Sequence, residues 1–118
     1  MTEMDEWGKD PSVQIMRKVF KEMEKAQHEL LKRLDIIPYD SRISRWREQA
    51  LDLFERACGV ANRMGITMDD HTASLVYVHC LAKVMSAERI NIPPGILPEA
   101  KSVERILKLP ALKGGASR

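Results

Sequence analysis

Apolar positions recur in alternating steps of three and four along two long stretches of the chain. The first stripe is Val13, Met16, Phe20, Met23, Gln27, Leu30 and Leu34. This is a heptad-like seam with one polar member, Gln27. The second is Ile43, Trp46, Ala50, Leu53, Ala57, Val60 and Met64, widened by Leu51, Phe54, Cys58 and Ala61. A face that broad is suited to two neighbours. Residues 72–82 then carry no Lys, Arg, Asp or Glu, in a chain that is 31% charged. A helix that is apolar on most sides is a buried helix. The pattern therefore predicts a central third helix wrapped by two amphipathic ones. A short fourth helix follows, with Val103, Ile106 and Leu107 on one side. Val76 to Val78 is the longest strand-like run, and the helical pattern around it absorbs it.

The punctuation supports this division. Asp10 and Pro11 suit the cap and first position of helix one. Pro38 disfavours helical geometry at Ile37, so that helix should end near Asp35. Asp40 or Ser41 can cap helix two, and Gly65 supplies its left-handed stop. Thr67-Met68-Asp69-Asp70 reads as a near capping box, leaving a two-residue turn before helix three, which runs to about Ile90. Asn91 to Gly95 is a loop, Pro98 can open helix four, and Pro110 ends it. On the outer face of helix one, Lys18–Glu22 and Lys25–Glu29 are spaced as ion pairs. The expected fold is all-α: an antiparallel bundle of three long helices plus a short C-terminal helix. Helices two and three form a hairpin, and helix one packs across it. Residues 1–9 read as a flexible lead in which Trp7 is an apolar exception that should dock, 10–109 as one helical domain, and 110–118 as a disordered tail.

Composition changes this picture little. One domain fits 118 residues, and a net charge of +2 argues against an unselective polyanion binder. Cys58 and Cys80 lie in separate helices with no Cys-x-x-Cys spacing, so both read as reduced, buried thiols. Met1 to Lys9 is acidic and lacks the apolar run of a signal peptide. No apolar segment reaches the roughly 20 residues needed to cross a bilayer. A soluble, cytoplasmic protein is the expectation.

Candidate chemistry is sparse. His71 and His79 lie a little over two helical turns apart, too far to share one ion, and neither cysteine completes a set. No metal or cofactor is expected. Cys80 follows His79, but adjacent helical residues point about 100° apart and do not meet. With no thiol or hydroxyl beside a base, no catalytic residues are assigned and no enzyme is expected. Ala61-x-x-x-Gly65-Ile66-Thr67 resembles the turn of bacterial helix-turn-helix DNA-binding domains. That resemblance implies a following helix laid in the major groove. Its leading residues would be Met68, Asp69, Asp70 and His71, and two carboxylates oppose phosphate. A tight helical hairpin needs the same glycine and cap. Arg42, Arg45, Arg56 and Arg63 share one side of helix two and are candidate contacts for a partner or a phosphate backbone. Met16, Met23, Met64, Met68 and Met85 could form an adaptable surface, although three of them fall on the core stripes.

Two readings result. The first is a non-catalytic helical module for protein–protein interaction or self-assembly, with Val13, Met16, Phe20, Met23, Gln27, Leu30 and Leu34 as the candidate oligomer seam and Gln27 setting register. The second is a nucleic-acid-associated helical protein using the arginine stripe. Neither involves a membrane.

Overall fold

The computed structural model describes residues 11–108. The elements are α1 (Pro11–Arg33), α2 (Arg42–Arg63), α3 (Asp70–Ala87), a 3-10 turn (Lys101–Val103) and α4 (Glu104–Leu107). No strand occurs among the described residues. The assignments for the lead, the Asp10 cap, the docking of Trp7, the Pro110 stop and the tail lie outside them.

The bundle is antiparallel between neighbours in sequence. Glu24 of α1 faces Arg47 of α2 at 3.9 Å. Arg45 near the start of α2 pairs with Glu88 just after α3, and Phe54 meets Tyr77 edge-on with ring centroids 6.3 Å apart. Lys18 of α1 pairs with Asp70, the first residue of α3, at 3.7 Å, and the Tyr77 hydroxyl donates to Gln27 Oε1. The chain therefore runs up, down and up, with α1 parallel to α3.

α3 is the spine. Ten of its residues are buried, from Ala73 through Leu75–Val78 and Cys80–Ala82 to Val84 and Met85. They occupy every side of the helix, and different elements cover different sides. α1 and α2 both pack extensively on α3 but meet each other little. Helix one thus lies along the spine and does not cross a hairpin. Val103 and Ile106 close a third side, and the 3-10 turn packs on α3 while α4 packs on α2. Withdrawing a large apolar side chain from water contributes about 1.5–3 kcal/mol, so these contacts dominate the fold.

The caps depart from expectation in two places. Thr67 does not start α3; Asp69 does, with extended backbone and Oδ1 accepting from the Thr72 N–H at 2.8 Å. Asp70 is then free to reach Lys18, and the α2–α3 connection lengthens to Met64–Asp69. At α2, Ser41 makes no side-chain cap bond. Asp40 Oδ1 instead accepts from the Arg42 N–H at 2.9 Å. Pro98 does not open helix four either. Its carbonyl lies 3.0 Å from His79 Nε2, strapping an irregular segment onto α3, and helical turns begin at Lys101. The expected Lys18–Glu22 and Lys25–Glu29 pairs are replaced by Lys18–Asp70, Glu22–Lys25 and Glu29–Arg33, all with exposed or half-exposed partners worth little individually.

All three long helices stop in the same way. Asp35, Gly65 and Arg89 take positive φ of 60°, 74° and 68°. The next residue is an isoleucine each time. Its N–H donates back to Leu31 at 2.9 Å, Ala61 at 2.9 Å and Met85 at 3.1 Å, for Ile36, Ile66 and Ile90 respectively. Each isoleucine packs against the core. This is the Schellman arrangement with its hydrophobic contact. Only one of the three left-handed positions is glycine.

Left-handed backbone costs a β-substituted residue about 1–2 kcal/mol, partly offset by the extra freedom glycine has when unfolded. Arg89→Gly should therefore stabilise the protein by about 1 kcal/mol and raise Tm by roughly 4–8 °C. Gly65→Ala should destabilise it by a similar amount, although a Cβ there meets open space. Thermal denaturation checks both, and an Arg89→Gly protein that melts lower would refute the assignment of strain.

Candidate interaction surface

The seam expected on α1 is divided by the fold. Met23 and Leu30 are buried against α3, Leu34 packs beside them, and Gln27 accepts the Tyr77 hydroxyl. Gln27 thus fixes register within the chain. An intermolecular seam over the full stripe would have to strip these residues from their own core. Met16 and Phe20 are different, at 55% and 50% exposed. The side chain of Val13 lies outside the described residues. The cause is length: α1 has 23 residues and α3 has 18, and Lys18 stands level with the first residue of α3. Before that level, which includes Met16, the stripe has no spine to pack on; Phe20 lies just past it and is left open while its neighbour Val19 packs against the core. Helical geometry puts Arg17 and Lys21 to one side of the uncovered end, and residues 11–21 include no acid.

The arginine stripe of α2 is largely occupied from within. Arg42 holds Asp40 through Nε at 3.1 Å and Nη2 at 2.8 Å, and its guanidinium lies 4.8 Å from the centroid of the Trp46 ring. Arg45 grips Glu88 with two bonds of 3.0 and 2.5 Å. Arg56 pairs with Asp52 at 3.0 Å, one turn away. Arg63 is exposed and has no ion-pair partner among the described residues. Phosphate could bind the first three only by competing with carboxylates already in place.

These pairs move the acids' proton affinities. Hydrogen bonds from Arg42 hold the Asp40 carboxyl down at about 2, from 3.8. The Arg45 guanidinium lowers Glu88, helped by the Trp46 indole N–H. That N–H is buried and completes no hydrogen bond by distance and angle, so its influence on Glu88 is that of an oriented dipole nearby.

No reactive group emerges from the thiols. Burial pushes Cys80 up to about 12, and burial followed by Glu55 raises Cys58. A thiol so shifted is a poor nucleophile at neutral pH. His71 is exposed and His79 is held at Pro98. Among the described residues no three His, Cys, Asp or Glu side chains gather as a metal-ligand set. A DNA-reading helix must present one open face. α3 does not: Asp69 caps it, Asp70 is paired with Lys18, and Met68 is partly buried. Among the described residues no helix is long and apolar enough to cross a membrane.

Two exposed residues escaped the periodic reading. Ile37 is 50% and Tyr39 82% exposed in the connection between α1 and α2, beside a shallow groove of about 320 Å³ lined by His28, Leu31 and Ile36. They belong to neither stripe; their signal was a pair of large apolar residues flanking Pro38. A wider groove of about 550 Å³ separates α1 from α2, with Gln27, Leu31 and Ile43 in its wall and Lys21, Glu24 and Lys25 at its edge.

No protein-family model, curated protein or solved structure matches the chain.

Asp40 gives a pH test. Its folded pKa is depressed, so the stability its charge contributes is present above about pH 4 and lost as pH falls toward about 2. Glu88 and Asp69 are depressed too and act with the same sign. Asp40→Asn should flatten the fall in the urea midpoint across that window. An unchanged slope would show that Asp40 and Arg42 are not coupled in solution.

Proposed function

We propose that this chain is a non-catalytic helical interaction module, assembling with itself or with a partner protein through the N-terminal half of α1. The observation that carries the reading is the exposure of Met16 and Phe20 on a stripe whose later members are core. Two large apolar side chains one helical turn apart, half open and bordered on one side by Arg17 and Lys21, have the make-up of a contact surface with a polar rim. The proposal includes a cytoplasmic setting, which suits two unpaired thiols.

The test is a Met16→Lys/Phe20→Lys double variant, which alters exposed positions and should keep the native circular dichroism. Its self-association in sedimentation equilibrium, or its retention of proteins captured by the parent chain from the native cell, should fall at least tenfold, equivalent to about 1.4 kcal/mol. Tyr39→Lys, at the other end of α1, should change neither. A parent chain that stays monomeric at every concentration and captures nothing sensitive to the double variant would end the reading.

A nucleic-acid role through Arg42, Arg45, Arg56 and Arg63 ranks second. Arg63 favours it, since that residue has no ion-pair partner among the described residues. It predicts salt-sensitive binding to duplex or single-stranded probes, weakened in Arg45→Glu and Arg56→Glu. Binding that ignores salt, or no binding, removes it.

A further inference from the structure

One edge of α1 holds basic side chains and no acid. At about 100° per residue, Arg17, Lys25, His28 and Lys32 lie within about 40° of Lys21 around the helix axis, and Glu22, Glu24 and Glu29 fall outside that arc. All five basic side chains are exposed. Arg17, Lys21 and Lys32 have no ion-pair partner among the described residues, and Lys25 meets Glu22 at 4.0 Å. Arg17–Lys21 and Lys21–Lys25 are like charges four residues apart, a spacing that weakens a helix. An edge that costs the helix stability needs a counter-charge from outside the bundle.

That edge borders the groove between α1 and α2. Lys21, Lys25 and His28 line its wider stretch, and His28 and Lys32 line the shallower one. The two stretches share His28, Leu31 and Pro38 and so form one channel. Its other members include the aliphatic Leu31, Ile37 and Ile43. Phe20 lies on the same side of α1 as Gln27 and Leu31, within about 40°, so its exposed ring extends the apolar wall. α1 and α2 both pack on α3 and meet each other little, which leaves the channel in the place of a further bundle helix. We propose that this channel receives an amphipathic helix of a partner protein, apolar on one side and acidic along the edge that faces Arg17, Lys21, Lys25, His28 and Lys32.

The spacing suits that occupant. The basic side chains advance in steps of four, four, three and four residues, the steps by which carboxylates recur along one edge of a neighbouring helix. The stripe is about 22 Å long, or roughly four helical turns. A phosphate backbone is the poorer occupant. It has no apolar side for Leu31 and Ile43, and its dense charge would meet Glu22, Glu24 and Asp35, which line the same channel. A second copy of α1 would bring the same cations and be repelled. The inference rests on the interaction reading above and gives the partner its chemistry.

The probe is a fluorescein-labelled synthetic helix of about 20 residues, with leucines in steps of three and four and glutamates flanking them. Anisotropy should show binding to the full chain that weakens as salt rises. Lys21→Gln/Lys25→Gln/Lys32→Gln should weaken it at least tenfold while leaving Tm equal or higher, because like-charge contacts are relieved. Tyr39→Lys, outside the channel lining, should not change it. No binding, equal binding of the same peptide with lysine for glutamate, or affinity that survives the triple variant would each overturn the proposal. So would a triple variant that melts well below the parent, which would make the stripe structural. A single-stranded or duplex DNA probe bound more tightly than the peptide through the same lysines would overturn it as well. The two readings fail separately. Peptide binding that is lost in the triple variant but untouched by Met16→Gln/Phe20→Gln supports the acidic occupant and sinks the apolar anchor. Association that depends on Met16 and Phe20, with no peptide bound, does the reverse.

Discussion

Burial of α3 on all sides is the constraint from which the rest of the architecture follows. Its ten buried residues leave no side that water can occupy without loss, so one amphipathic neighbour is not enough. α1 takes one flank, α2 another, and the segment from Asn91 to Leu107 closes what remains. That last segment has little regular structure of its own. It holds its place by burying Val103 and Ile106 and by the strap from Pro98 to His79. Polar contacts on the spine are few, and Tyr77 with Gln27 is the central one. Desolvation raises the tyrosine to about 12, which keeps its hydroxyl a donor at any ordinary pH.

A spine shorter than its neighbours has consequences at the ends. α1 continues past the start of α3, and the stripe that is core at Met23 and Leu30 becomes surface at Met16 and Phe20. The same periodicity therefore serves two purposes along one helix. Toward the C-terminal end, the repeated left-handed stop followed by isoleucine turns each helix sharply while keeping one apolar side chain in the core. Asp35 and Arg89 accept this backbone at some cost. Two helix-to-helix reversals and the entry to the closing segment depend on it.

Electrostatics follow the packing. Arg42 and Arg45 look like a stripe on a helix drawn alone. In the bundle they lie where α2 begins and α3 ends, beside Asp40 and Glu88, and they close that corner over Trp46. Eight cations have no carboxylate partner among the described residues: Arg17, Lys21, Lys32, Arg63, Lys83, Arg89, Lys101 and Arg105. Arg17 and Lys21 lie beside the apolar end of α1, and the other six are spread over the rest of the described surface.

Local pattern was enough for the helical class, the three long elements, the central place of the uncharged run and the stop at Gly65. Each depends on a period or a backbone preference that acts over a few residues. Charge partners and caps were read less well. Lys18 has Glu22 one turn away yet reaches Asp70, and Thr67 could cap yet Asp69 does, because a rival donor or acceptor far along the sequence is invisible to spacing. The division of the α1 stripe into core and surface was likewise undetermined. Periodicity states which side chains share a face; the relative lengths and axial offset of packed helices decide how far along that face the neighbour extends.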